Sequence, residues 1–276
     1  FGRRTLVMGV LNVTPDSFSG DGVGDDVTAA VSRAVRLQEE GADVIDVGAE
    51  STRPNSAPVD AAEELRRLLP VLRALQGRIT VPLSVDTRKA EVAAAALDEG
   101  AAILNDVWGL RAEPAIARVA AAHPDCGVVV MHNQRGTGYE DLMADVSRAL
   151  RESVTVAVEA GIPASQVICD PGFGFAKTPA QNLEVLRRLG ELRSLGRPLL
   201  VGLSRKSTLG ALLGGAAPQD RVEAGIAAAT LAVAAGAHMV RTHDVAPTVS
   251  SLKLTDAVVR EIPSAIRDLP APGPTG

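Results

Sequence analysis

Short aliphatic runs alternate with longer amphipathic stretches along almost the whole chain. The runs are Leu6–Val13, Val44–Gly48, Pro82–Asp86, Ala102–Val107, Gly127–His132, Val167–Asp170, Pro198–Leu203 and Met239–His243. Each is short and rich in β-branched residues, and this favours strand over helix. Between them lie Val27–Glu40, Ala61–Leu75, Ala90–Glu99, Pro114–Ala122, Asp141–Ala160, Ala180–Leu189, Gln219–Ala235 and Val249–Glu261, which read as helices. Several of these end in a glycine followed at once by a new aliphatic run: Gly41, Gly100, Gly161 and Gly236. Glycine just past a helix end supplies a left-handed cap.

Eight strand–helix beats of about 30 residues each predict an α/β fold, a single (β/α)8 barrel with its active-site loops at the C-terminal face of the strands. An open doubly wound sheet commonly has fewer strands and a glycine-rich phosphate turn after the first. The sequence has neither a G-x-G-x-x-G nor a P-loop pattern. The reading gives one domain over 1–268. It leaves 269–276, with its alternating prolines, as an expected disordered tail. The longest loops, Thr14–Asp26, Ser51–Asp60 and Asn133–Glu140, follow strands 1, 2 and 5 on the face where barrel active sites form.

Composition narrows the picture. The 276 residues are 46% hydrophobic but only 2% aromatic, so the core must rest on Val, Leu, Ile and Ala, as suits parallel strands buried on both faces. A net charge of −5 argues against a nucleic-acid partner. No stretch approaches the roughly 20 apolar residues of a membrane span. Cys126 and Cys169 sit in apolar runs with no secretory signature around them, which points to a reduced, cytoplasmic protein with buried thiols.

Polar residues at the C-terminal ends of barrel strands face the catalytic mouth. Here those ends carry Asn12, Asp46, Glu50, Asp86, Asn105, Asp106, His132, Asp170, Arg205, Lys206, Arg241, His243 and Asp244. Two chemistries separate. Asp86, Asn105 and Asp170 are acceptors suited to a ligand with adjacent N–H groups, such as a pterin edge; a sugar or a metal is an alternative. Arg53, Lys206, Arg241 and His243 are cations around the rim, and barrels often bind phosphate beside strands 7 and 8. His132, a lone histidine at the end of strand 5, reads as packing or as support behind the site. The Asn12–Phe18 segment leads into a loop with Gly20, Gly22 and Gly24, the composition of a movable lid.

Taken together, the motifs closely resemble the dihydropteroate synthase family. The matching segments are Gly9-Val-Leu-Asn-Val-Thr-Pro-Asp-Ser-Phe-Ser19, Asp46-Val-Gly-Ala-Glu-Ser-Thr-Arg-Pro54, Ser84-Val-Asp-Thr-Arg88, Asn105-Asp106, Asp170-Pro-Gly-Phe-Gly-Phe-Ala-Lys177, Gly202-Leu-Ser-Arg-Lys-Ser207 and Arg241-Thr-His-Asp-Val245. They follow the family's order over nearly the whole chain. The resemblance implies condensation of 6-hydroxymethyl-7,8-dihydropterin pyrophosphate with p-aminobenzoate, giving 7,8-dihydropteroate and pyrophosphate for folate synthesis. It implies that Asp86, Asn105, Asp170 and Lys206 hold the pterin, and that Asn12, Arg241 and His243 hold the pyrophosphate. Mg2+ would bridge Asn12 and phosphate oxygens, while Phe18, Arg53, Pro54 and Ser207 would form the p-aminobenzoate pocket. Asp16, Lys206, Arg241 and His243 are the expected catalytic set. The reaction implied is Mg2+-assisted dissociative substitution without a protein nucleophile, in keeping with the absence of a Ser/His/Asp or Cys/His constellation. Sulfonamides would compete for the p-aminobenzoate pocket, and a homodimer is expected, with the alanine-rich segment Ala224–Ala235 as a surface for close helix packing.

Two departures stand out. Loop 1 reads Ser19-Gly20-Asp21-Gly22 where the family commonly has Ser-Asp-Gly-Gly, so its acid is shifted by one. The loop after strand 5 is short. Two other readings remain: a pterin-dependent methyltransferase, which would not need the Asn12 loop, Arg53 or the Arg241/His243 pair, and a non-catalytic pterin-binding paralogue, which should have lost some of these residues.

Overall fold

The computed structural model describes residues 1–14, 26–50 and 59–261. Eight parallel strands run in the order predicted: β1 (Leu6–Asn12), β2 (Val44–Gly48), β3 (Leu83–Asp86), β4 (Ile103–Asp106), β5 (Gly127–Met131), β6 (Val167–Asp170), β7 (Leu200–Gly202) and β8 (Met239–Thr242). Each neighbours the next, β8 returns to β1, and the ring closes between β6 and β7 through Cys169 and Leu199. That ring is a (β/α)8 barrel.

The helices are α1 (Val27–Glu39), α2 (Ala61–Leu75), α3 (Ala90–Asp98), α4 (Ala115–Ala121), α5 (Leu142–Glu159), α6 (Pro179–Arg187), α7 (Ser207–Leu212), α8 (Val222–Ala234) and α9 (Val245–Val259). Asp26, Asp60, Asp141 and Thr178 cap α1, α2, α5 and α6 by accepting from a backbone N–H three residues on. These caps satisfy donors that the first helical turn leaves free. The four glycines expected to close helices have φ between 92° and 109°. Eight helices were expected, and the described residues hold nine. The extra one is α7, and α9 starts four residues earlier than the sequence suggested. The strands are mostly shorter than the aliphatic runs by a residue or two at one or both ends, although Pro82, Ala102 and Pro198, just ahead of β3, β4 and β7, still accept from neighbouring strands.

The period of two along each strand sorts the core. Met8, Val44, Val129, Ile168, Leu200 and Met239 point inward and pack on one another as the floor of the barrel, with Leu6 and Ile103 beside them. The alternate set, including Val7, Leu11, Ile45, Val85, Leu104, Val128, Val130 and Val201, points outward beneath the helices. Continuing the inward set toward the C-terminal ends gives Asn12, Asp46, Ser84, Asp86, Asn105, Met131, Asp170 and Arg241. The barrel interior is therefore apolar at its floor and polar near its mouth. Both cysteines are buried, as expected.

Candidate active site

Strand register brings the polar inward residues together. Asp46 lies beside Ser84, Gly48 beside Asp86, and Asp86 beside Asn105. A Cβ placed on Gly48 would lie 3.6 Å from Asp86 Cβ and 3.9 Å from Asn12 Oδ1, so Asn12 and Asp86 border the same space. Asn105 Nδ2 donates to Asp46 Oδ2 at 3.1 Å. Arg241 reaches across from β8, with Nε donating to Asp46 Oδ2 at 2.7 Å and Nη2 to Asp86 Oδ2 at 3.1 Å. The sequence placed Arg241 with the rim cations. It sits lower, on an inward position of β8, paired with two acids.

That pairing is incomplete. Among the described residues Asp46 Oδ1, Asp86 Oδ1 and Ser84 Oγ are buried with no hydrogen-bond partner. Each such group costs about 1–3 kcal/mol, and native interiors keep few of them. Two carboxylate oxygens and one hydroxyl thus sit unsatisfied on the inner face of the adjacent strands β2 and β3. Burial pushes the Asp86 carboxyl up to about 7; Arg241 opposes that rise and the nearby charge of Asp46 adds to it. Burial likewise raises Asp170 to about 6, against the Gly172 N–H and the charges of Lys206 and Lys177.

The turn after β6 shapes the opposite wall. Asp170 Oδ1 accepts the Gly172 N–H at 2.7 Å. Gly172 has φ +70°, and a Cβ there would collide with the His132 carbonyl oxygen, so the position admits only glycine. Further along, Lys206 Nζ lies 4.0 Å above the Phe175 ring, a cation–π contact that holds the ammonium over the turn. His243 follows β8, and its Nδ1 lies 3.1 Å from Ser204 Oγ. Ser207 is the exposed first residue of α7.

Not every strand-end residue belongs to the mouth. Asp106 shares the outward parity of Leu104 and accepts the N–H groups of Trp108 and Leu110, which fastens the turn after β4. Glu50 pairs with Arg88 at 2.9 Å and Lys89 at 2.6 Å. Asp244 pairs with Arg205 at 2.6 Å. These three are structural ties, as their parity or partners dictate. His132 is buried and accepts from Lys177, the supporting of the two roles expected for it. Asp16, Phe18, Arg53 and Pro54 lie outside the described residues.

The sequence reading passed over Lys177, Asn182 and Ser84. Asn182, on α6, is buried; its Oδ1 accepts from Gly174 N at 2.7 Å and its Nδ2 donates to Thr208 Oγ1 at 2.9 Å. It thereby ties the turn after β6 to the start of α7. Lys177 ends a quoted motif and Ser84 begins one, but nothing in local pattern marked either side chain as buried.

The family described as pterin binding enzyme matches residues 8–243. A dihydropteroate synthase of Clostridium beijerinckii is 41% identical over 262 residues, covering 94% of this chain and 96% of its own. The chain belongs to the dihydropteroate synthase family. Two solved structures of the family superpose closely. A dihydropteroate synthase from Clostridium difficile, determined in the presence of pteroic acid, has TM-score 0.90 at 44% identity, covering 94% of this chain and 98% of that one. The Yersinia pestis dihydropteroate synthase, in complex with a sulfonamide drug, has TM-score 0.87 at 42% identity, covering 92% and 94%. Among the described residues no helix is long and apolar enough to cross a membrane.

Proposed function

We propose that the barrel mouth joins a dihydropterin pyrophosphate to p-aminobenzoate, with the described residues divided by charge. The observation that carries this is the set of unpartnered buried acceptors, Asp46 Oδ1, Asp86 Oδ1 and Ser84 Oγ, above an apolar floor. A pterin's amino and ring N–H groups are donors of the kind that these oxygens lack. Asn105 and Asp170 border the same space and would complete the pterin contacts. Lys206, fixed over Phe175, would cover the ring from the side of the turn.

In the reaction the C–O bond between the pterin methylene and the pyrophosphate breaks, and its electron pair leaves with the pyrophosphate. The amine lone pair of p-aminobenzoate then forms the new C–N bond, and its proton passes to solvent or phosphate. The methylene gains cationic character as the bond opens, and the carboxylates of Asp86 and Asp170 stabilise it. Arg241 and His243 take up the negative charge of the departing group. An arriving phosphate would compete with Asp86 for the Arg241 guanidinium, leaving Asp86 free for pterin donors.

Magnesium fits one corner of this arrangement. Asn12 offers a hard oxygen beside Asp86, while among the described residues no three His, Cys, Asp or Glu side chains converge as a cluster. Mg2+ commonly takes few protein ligands and completes its shell with water and substrate phosphate oxygens. Asn12 would hold it there, and it would supply charge that eases pyrophosphate departure. Asp16 would help organise the first loop, and Phe18, Arg53, Pro54 and Ser207 would frame p-aminobenzoate and its sulfonamide competitors.

We also propose that two copies pair through α8 and α9, in the cytoplasm. Leu231, Leu254 and Val258 are exposed at 61%, 70% and 76%, an unusual density of large apolar side chains on two packed helices.

Titration with the dihydropterin pyrophosphate tests the site. Asp170→Asn and Arg241→Ala are each expected to weaken binding ten-fold or more. Unchanged affinity in both would overturn the assignment.

A further inference from the structure

The turn that carries Asp170 into the mouth is held by a side chain to which the reaction gives no role. Lys177 is 8% exposed, and its ammonium meets His132 Nδ1 at 2.9 Å, Gly172 O at 3.1 Å and Phe175 O at 3.3 Å. An ammonium has three donors, and all three are used. His132 serves as an acceptor: burial, with the charges of Lys177 and Arg111 behind it, pushes its pKa down to about 3, so the ring is neutral. Its backbone N–H donates to Asp170 O at 2.9 Å, which locks the end of β5 to the end of β6.

The turn needs holding. Gly172, Gly174 and Ala176 have φ of 70°, 81° and 48°, and Ala176 is a non-glycine residue in the left-handed region. Such a residue costs about 1 kcal/mol or more unless its surroundings impose it. Tyr139 Oη donates to Ala176 O at 2.9 Å, and Lys177 takes the carbonyls of Gly172 and Phe175 ahead of that residue. What the turn presents to the mouth is the Asp170 carboxylate at one end and the Phe175 ring beneath Lys206 at the other.

We propose that Lys177, backed by His132, is a positioning residue for the pterin subsite, fixing the turn so that Asp170 and the Phe175–Lys206 pair share one geometry. This rests on the mouth being a pterin site. The groups facing the ammonium are Asp170 from β6, Lys206 from the loop after β7, His132 at the end of β5 and the Tyr139 ring, whose centroid lies 6.0 Å away. Arg111 and Asp145 reach His132 from the outer side. Burial pushes the Lys177 ammonium down to about 7; Asp170 opposes that fall and Lys206 adds to it. Raising the pH through 7 thus removes one donor from the turn, while His132 stays neutral throughout.

The test is steady-state kinetics from pH 6 to 9 with each substrate varied in turn, on wild type, Lys177→Arg and Lys177→Met, with thermal melts alongside. Lys177→Met is expected to raise KM for the dihydropterin pyrophosphate at least ten-fold at all pH values, with KM for p-aminobenzoate within two-fold. Lys177→Arg, which stays charged, is expected to flatten the rise of pterin KM that wild type shows above pH 7. Equal changes in both KM values, or identical pH profiles for wild type and Lys177→Arg, overturn the proposal. Should both lysine variants fail to fold, His132→Leu removes one acceptor and is expected to raise pterin KM three-fold or more; an unchanged value overturns the proposal. A wild type without turnover would refute the reading of the mouth, whereas turnover with an unmoved Lys177→Met would refute only the role of Lys177.

Discussion

Asp86 carries the largest electrostatic burden among the acids of the mouth. Its carboxyl is raised to about 7 by burial, with Arg241 restraining the rise and Asp46 adding to it. A protonated carboxyl has one acceptor fewer and no charge, so a pterin's N–H groups are held best once it ionises. Affinity for a pterin lacking pyrophosphate is therefore expected to climb from pH 5 to about pH 7 as Asp86 ionises, and to fall again above it as Lys177 loses its proton. The acids titrate as a set, and the midpoint belongs to that set. Calorimetric titration across this range checks it, and a flat profile would contradict it. Stability runs the other way. The folded pKa lies above the unfolded value, so the group's contribution is present at low pH and lost as pH rises through about 4 to 7. Asp86→Asn should stabilise the unliganded protein at pH 8 and gain nothing at pH 3. Denaturant melts at the two pH values would show this; a variant less stable at pH 8 would refute it. Their place at the C-terminal ends of aliphatic runs made Asp86, Asn105 and Asp170 legible in the sequence. It could not reveal that Arg241 pairs with Asp46 and Asp86, because that depends on strands brought together across the ring.

Among the elements, the turn after β6 and the short helix α7 position the most chemistry per residue. Gly172 meets the His132 carbonyl so closely that any side chain must displace backbone, at a left-handed φ besides. Gly172→Ala is expected to cost about 2–4 kcal/mol, read as a lower melting temperature together with weaker pterin binding. A melting temperature equal to wild type would contradict the account. Helix α7 escaped the sequence reading for a physical reason. It has six residues, contains Gly210, and lies between Arg205 at φ +60° and the glycine pair Gly214 and Gly215. Its stability comes from packing of Thr208 and Leu209, both buried, and from Asn182 of α6 rather than from amphipathic period. The same holds for α9, whose first turn is fixed by buried Val245. The longer helices α1, α2 and α5, with acidic caps and clear apolar faces, were legible to within two residues at each end.

For the molecule as a whole, the eightfold beat dictated the barrel. A ring of parallel strands closes because each aliphatic run buries one face on the floor and the other beneath a helix. The outer surface is less evenly covered. Leu231, Leu254 and Val258 remain exposed on α8 and α9, and a second copy is the occupant proposed for them. Sedimentation equilibrium is expected to give twice the chain mass. Leu254→Glu with Val258→Glu should give a monomer that keeps its helix content, whereas a monomeric wild type would contradict the pairing. The central claim is the reaction itself, and release of pyrophosphate tests it most directly. Purified protein with the dihydropterin pyrophosphate and Mg2+ is expected to release pyrophosphate rapidly only when p-aminobenzoate is added, and the release should fall at least a hundred-fold in Lys206→Ala and in Arg241→Ala. Tight pterin binding without p-aminobenzoate-dependent release would contradict the account and leave the barrel a pterin-binding protein without turnover.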